Sequence, residues 1–168
     1  EYFHSFRYRK PFYSYLMNYF RKLEKISIKD LTETHPSLAI YFYFNLLFTG
    51  VNEEAHYKKI IALLEKFAGR FKPAEAYYLY TLLTNFLNLK SHRGEIKYTK
   101  DLLKLYKHLL STKFFFKKNI LGHIDYHNIA DTAFYLKEFS WARDFLFKYK
   151  NKLEPVYKDN LFNLELAW

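Results

Sequence analysis

The 168-residue chain contains no cysteine and only four glycines and four prolines. Without cysteine, disulfides, thiolate metal sites and a Cys nucleophile are excluded. A many-stranded all-β fold is disfavoured, because each of its hairpins needs Gly, Asn or Pro in the turn. No uninterrupted apolar run reaches the roughly 18 residues needed to cross a bilayer. We therefore expect a helical, soluble, cytoplasmic protein that does not act at a membrane.

Apolar and aromatic residues are abundant instead. Half of the residues are hydrophobic, and the aromatic residues include 17 Tyr and 18 Phe. A chain of this length and composition can bury a substantial core, so we predict a single domain over residues 1–168. The sequence begins at Glu1 without a signal pattern and ends on the apolar helical pattern LFNLELAW. We expect it to be an excerpt of a longer chain.

The prolines and glycines stand where helix ends require them. Each proline precedes a segment of helical apolar period, where its fixed φ suits the first turn: Pro11, Pro36, Pro73 and Pro155. Gly50 and Gly69 directly follow long apolar runs, as expected of left-handed residues that end a helix. The pattern predicts eight helices, at about 11–25, 36–49, 52–68, 73–89, 94–111, 119–136, 140–153 and 155–168.

Two of these segments carry further expectations. The IYFYF stretch in 36–49 is β-prone, but its length and its flanking Pro36 and Gly50 favour a buried helix. In 52–68, the side chain of Asn52 is predicted to cap the helix.

Short connections make neighbouring helices antiparallel. The predicted fold class is therefore all-α, with helical hairpins at 36–69, 73–111 and 119–153 and terminal helices at 11–25 and 155–168. Stacking of these hairpins in a right-handed α-solenoid is the expected architecture.

Residues 123–155 resemble the tetratricopeptide repeat (TPR). The residues that carry the resemblance are Tyr126, Ile129, Ala130, Ala133, Leu136, Phe139, Ala142, Leu146, Tyr149 and Pro155. Ala130 and Ala142 are small enough to let two helices approach closely. The sequence departs from the family pattern at Lys137, where the family often has Gly, and at Pro155, which falls about a residue late.

The TPR-like resemblance implies a concave groove, lined by the first helix of each pair, that binds peptides or partner helices. Carried onto this sequence, the groove positions are Ile124, His127, Asn128, Asp131, Phe134 and Tyr135. Helical spacing agrees, because these positions lie away from the face that carries Ile129, Ala130 and Ala133. Two alternatives stay open: Phe134 and Tyr135 pack on the preceding hairpin, or the polar residues form a solvated inner face.

Catalytic and metal-binding patterns are weak. His123, His127 and Asp131 share one helical face, but nothing nearby supplies a further pair of ligands. We interpret the two histidines as exposed residues and expect neither a metal nor another cofactor. No Ser/His/Asp order and no phosphate-binding glycine loop is present, so we predict that the protein is not an enzyme.

Positive charge is concentrated in residues 90–118. This stretch contains nine Lys or Arg residues and two acidic residues. A stripe of helical spacing runs along 94–111, at Arg93, Lys97, Lys100, Lys104 and Lys107. It is either an ordinary solvated face that reflects compositional bias, or an electrostatic surface for phosphate or an acidic protein. An exposed Phe in KFFFKK, residues 113–118, would extend that surface by stacking on a base, whereas burial between hairpins would not.

These patterns favour a scaffold or adaptor that binds a protein or peptide through a concave helical groove. The alternative is a helical repeat that binds RNA through the 90–118 stripe. Because the basic helix is the second of its pair, we expect the stripe to lie on the outer surface, away from the groove.

Overall fold

The computed structural model describes residues 28–112 and 114–167. The predicted helix 11–25 lies outside the described residues, as does Lys113 of the KFFFKK stretch. The described residues form eight α-helices and one short β-hairpin. The helices are α1 Ile28–Thr34, α2 Pro36–Phe48, α3 Glu53–Phe67, α4 Pro73–His92, α5 Ile96–Ser111, α6 His123–Tyr135, α7 Phe139–Tyr149 and α8 Pro155–Leu166.

The all-α class is confirmed, and the number of helices matches the prediction. Seven of the eight helices overlap predicted ones, and α1 was not predicted. The β-prone IYFYF stretch lies inside α2, as expected from its length and its flanking proline and glycine. Stacking of the hairpins into a solenoid, and a single domain over the whole chain, stay predictions.

Proline marks the helix starts as expected. Pro36 and Pro155 occupy the first turns of α2 and α8, and α4 begins at Pro73. Proline fits there because the first N–H groups of a helix have no partner within the helix.

Of the predicted signals at three other helix ends, those at Asn52 and Gly69 need correction and that at Gly50 is confirmed. Asn52 precedes α3 with a left-handed φ of 49°, and its side chain makes no capping hydrogen bond. Its carbonyl oxygen instead accepts the N–H groups of Ala55 and His56. Gly50 has the expected positive φ of 80°, whereas Gly69 lies in the 3-10 turn Ala68–Arg70 without one.

The predicted start of the helix at 119 is also wrong. Strands β1, Phe116–Lys117, and β2, Ile120–Leu121, pair antiparallel. The connecting residues Lys118 and Asn119 have φ values of 51° and 67°. Two consecutive left-handed residues form a tight turn that matches the strand twist, so α6 begins only at His123.

The chain divides into two compact units, Glu1–Leu79 and Tyr80–Trp168, with the boundary inside α4. In the described part of the first unit, α2 packs against both α1 and α3. Its core contains Ile40, Phe44, Leu47, Ile60 and Leu64, which are at most 3% exposed.

In the second unit, α6 contacts α5, α7 and α8. Leu103 of α5, Ala133 of α6 and Ala142 of α7 form one buried cluster. Ala130 is also fully buried. Small side chains at this contact let the helices approach closely, which fixes the side of α6 that stays outside.

Candidate partner-binding surface

Two contacts between side chains hold α6 beside α8. The rings of His123 and Tyr157 stack, with centroids 4.0 Å apart and an angle of 23° between their planes. One turn further along α6, Nδ1 of His127 lies 2.6 Å from Oε1 of Glu165. Because the partner positions increase along both helices, α6 and α8 run in the same direction.

Helix α7 packs against both of these helices. The Tyr126 hydroxyl of α6 donates a 3.0 Å hydrogen bond to the carbonyl oxygen of Leu146 in α7. The rings of Phe147 in α7 and Phe162 in α8 meet edge to face at 5.3 Å. Helices α6, α7 and α8 therefore form one packed group.

The acid in this group is buried while its partner is not. Glu165 is 1% exposed, whereas about half of the His127 side chain remains accessible. Burial raises the pKa of the neighbouring Tyr126 hydroxyl, and the charge of Glu165 raises it further. His127 thus holds α6 against α8 and borders the solvent-facing side of α6.

That solvent-facing side is the α6 face, which we define as Ile124, Asn128, Asp131 and Tyr135. Ile124 and Tyr135 are 58% and 56% exposed, Asp131 is exposed, and Asn128 is half-buried. Steps of three and four residues place all four on one side of the helix. The structure therefore brings four of the six predicted groove positions together on this face and places a fifth, His127, at its edge toward α8.

Phe134 does not belong to the α6 face. It is half-buried against the cluster of Leu103, Ala133 and Ala142, and its ring lies 6.4 Å from that of Phe139. The predicted groove role of Phe134 is therefore replaced by packing against neighbouring helices, which was the open alternative.

On α8, Leu164 is 58% exposed. Its position along the helix is one residue before Glu165 and seven after Tyr157, so it lies beside the side of α8 that contacts α6. Leu164 therefore places an exposed apolar side chain near the α6 face.

The first unit contains a similar pairing of α2 with the beginning of α4. Ser37 Oγ donates a 3.2 Å hydrogen bond to Oε1 of Glu75. Burial raises the pKa of Tyr41, and the nearby groups Glu75 and Tyr78 raise it further. Tyr78 is 61% exposed. The sequence patterns did not single out this pairing.

The basic stripe lies mostly on the surface of the second unit. Arg93, Lys97, Lys100 and Lys104 are exposed. Lys107 is half-buried, with Nζ 3.9 Å from the Glu138 carboxylate and 4.6 Å from the centroid of the Trp141 ring. Lys107 therefore contributes to packing as well as to charge.

Lys90, at the start of the basic stretch, is 7% exposed, and its Nζ lies 3.1 Å from the Glu95 carboxylate. It also lies over the rings of Phe86 and Tyr98, at 5.9 and 5.6 Å. Lys90 is thus a partnered cation inside the fold rather than a part of the basic surface.

The three phenylalanines of KFFFKK are half-buried and contact rings of their own unit. Phe114 lies 5.6 Å from Tyr80, Phe115 lies 5.8 Å from Tyr106, and Phe116 lies 5.8 Å from Tyr149. These contacts favour the packing alternative over stacking on bases.

Within residues 28–112 and 114–167, no group of three His, Asp or Glu side chains is arranged to hold a metal ion. His123 and His127 face Tyr157 and Glu165, not each other. Across the same described ranges, no helix combines the length and apolarity needed to cross a membrane.

Sequence reasoning missed Tyr157 and Glu165 as partners of α6. One signal was available: His123 and Tyr157 are separated by about 34 residues, the length of one tetratricopeptide repeat. No comparable signal marks Glu165, a lone acid in an apolar pattern.

Comparison with protein-family models, with curated proteins and with solved structures finds no match.

Proposed function

We propose that the protein is a non-enzymatic interaction module that binds a peptide or a partner helix on the α6 face, beside α8. The observation that carries this proposal is the exposure of Ile124, Asp131 and Tyr135 on one side of a helix whose other sides are packed. A helix fixed by neighbours on three sides presents these side chains with little loss of entropy on binding.

The chemistry of the α6 face suits an extended or helical peptide. Ile124 and Tyr135 offer apolar area at opposite ends of the helix, and Tyr135 also carries a hydroxyl group. Asn128 and Asp131 lie between them and can bond to peptide N–H groups. Such a mixture of apolar anchors and polar groups is typical of peptide-recognition surfaces.

The same proposal includes a TPR-like arrangement of α6, α7 and α8. It is supported by the parallel course of α6 and α8, by the contacts of α7 with both, and by the repeat-length separation of His123 and Tyr157.

The test is selection of binding peptides from a random displayed library by the full 168-residue chain. Enriched sequences are synthesised and titrated against the wild type and against the double variant Asp131→Lys/Tyr135→Ala. We expect the variant to lose at least about tenfold in affinity, because both a charge and an aromatic anchor are changed.

The matched control is Asp144→Lys/Tyr78→Ala, which makes the same two changes of residue type at exposed positions outside the α6 face; Tyr78 is 61% exposed. The control is expected to retain the affinity of the wild type. Peptides that bind both double variants as tightly as they bind the wild type would contradict the assignment to the α6 face.

A further inference from the structure

We propose that the second unit has a separate binding surface on α5, which takes an acidic amphipathic segment of a protein partner. We define the α5 basic face as Lys97, Lys100 and Lys104 of α5, together with Arg93 in the turn just before the helix. The three lysines lie opposite the buried Leu102, Leu103, Tyr106 and Leu110. The inference does not depend on the function proposed for the α6 face.

Among the described residues, three of the four cations of this face lack an acidic partner, whereas Lys97 has an interaction of its own. In the ranges that the structure describes, no acidic side chain pairs with Arg93, Lys100 or Lys104. Asp101, the single acidic residue of α5, is half-buried and also has an interaction within the chain. Clustered cations without internal partners attract carboxylates and raise the rate of association with an acidic partner.

The spacing of the cations fits a helix that carries acids at the same spacing. Lys97, Lys100 and Lys104 follow one another along α5 at steps of three and four residues, so they lie about 4.5–6 Å apart along the helix axis. A partner helix with Glu or Asp at i, i+4, i+7 and i+11 presents three carboxylates at the heights of these lysines and a fourth toward Arg93.

An apolar residue borders the cations. Ile96 is 48% exposed and lies on the turn between Arg93 and Lys100. The rings on this helix that would otherwise stack on bases, Tyr98 and Tyr106, are 6% and 1% exposed. Single-stranded nucleic acid needs such stacking platforms, whereas an amphipathic acidic segment can bury a side chain against Ile96. The composition of the face therefore favours a protein segment over RNA.

The experiment uses the full 168-residue chain and three labelled probes in fluorescence anisotropy at moderate salt. The first probe is a synthetic amphipathic helix with Glu at i, i+4, i+7 and i+11 and a flanking leucine. The second is the same peptide with Gln at those positions, and the third is an oligouridylate of similar length. We expect the Glu peptide to bind at least about tenfold more tightly than the Gln peptide.

Variants locate the binding. Lys100→Glu/Lys104→Glu is expected to weaken the Glu peptide by at least about tenfold, and Ile96→Ala by about threefold. The control Lys59→Glu/Arg143→Glu changes the net charge equally at two exposed positions elsewhere and is expected to bind like the wild type. Circular dichroism of each variant checks that it is folded.

Three results would each overturn the inference. One is a Glu peptide that fails to bind the wild type, and another is an equal loss of affinity in the control variant, which would show that only total charge matters. The third is oligouridylate that binds more tightly than the Glu peptide and is unaffected by Ile96→Ala. That last outcome would favour a nucleic acid as the occupant.

Discussion

The half-exposed imidazole of His127 lies 2.6 Å from the carboxylate of Glu165, which is 1% exposed. This contact joins α6 to α8, and its two residues are 38 positions apart in the sequence. A buried carboxylate that loses its partner costs more than the hydrogen bond itself gains, so the pair is a sensitive point of the fold.

We predict that His127→Ala lowers the free energy of unfolding by about 1–3 kcal/mol, because the Glu165 carboxylate is left buried without its imidazole partner. Adding Glu165→Gln should return part of that loss by removing the buried charge. Urea denaturation of both single variants and the double variant measures the coupling. Strictly additive single effects would show that the two groups are not coupled in solution.

Burial also gives two tyrosines a pH-dependent effect on stability. It raises the pKa of both Tyr106 and Tyr126 well above the ordinary value of 10.0, and for Tyr106 a hydrogen bond from Asn88 partly opposes the rise. Well below pH 10 both phenolic hydroxyl groups are protonated in the folded and the unfolded chain. Above that pH the unfolded chain loses these protons first, so stability must fall as pH rises.

We expect the free energy of unfolding to fall above about pH 10 by about 1 kcal/mol per pH unit for each of these rings. Urea denaturation at pH 8 to 11 measures the slope. The double variant Tyr106→Phe/Tyr126→Phe should have a shallower slope, whereas replacement of the exposed Tyr135 by Phe serves as the control. An unchanged slope in the double variant would contradict the assignment.

Lys137, between α6 and α7, has a φ of 60°. It stands near the place where the tetratricopeptide repeat, which this stretch resembles, often has Gly. A left-handed conformation costs a residue with a Cβ about 1–2 kcal/mol. Gly does not have this steric cost, but its greater entropy in the unfolded chain offsets part of the gain in stability.

We therefore predict that Lys137→Gly raises the free energy of unfolding by about 0.5–1 kcal/mol. Lys137→Ala, which keeps the Cβ, should give no such gain. Thermal and urea unfolding of the two variants distinguish the backbone effect from loss of the lysine charge. Equal stabilisation by Ala and Gly would mean that charge, not backbone conformation, is responsible.

The close contact among Leu103, Ala133 and Ala142 leaves no room for a larger side chain, since Ala133 and Ala142 are 0% exposed. We predict that Ala142→Leu lowers the free energy of unfolding by about 1–3 kcal/mol through overpacking. The neighbouring exposed Arg143→Leu should stay within about 0.5 kcal/mol of the wild type. A tolerated Ala142→Leu would show that the helices separate at little cost.

Much of the fold could be predicted because helix formation leaves a local record in the sequence. The apolar period and the prolines at Pro36, Pro73 and Pro155 located seven of the helices. Steps of four and three residues from Ile124 to Asn128 and Asp131 placed these residues on one side of α6. The helix start predicted at 119 is wrong because a β-hairpin lies there. Left-handed Lys118 and Asn119 turn the chain without glycine, so the hairpin left no strong signal.

What the sequence by itself determined was the all-α class, the helix-bounding role of proline and the exposed side of α6, since each depends on spacing along a few turns. Only the tertiary structure decided that Glu165 is buried against His127, that Phe134 packs inward and that Lys90 is partnered within the fold. These outcomes depend on which side chains come into contact from distant parts of the chain. Such contacts decide whether a polar side chain is buried and which group pairs with it, and residue type alone does not determine either.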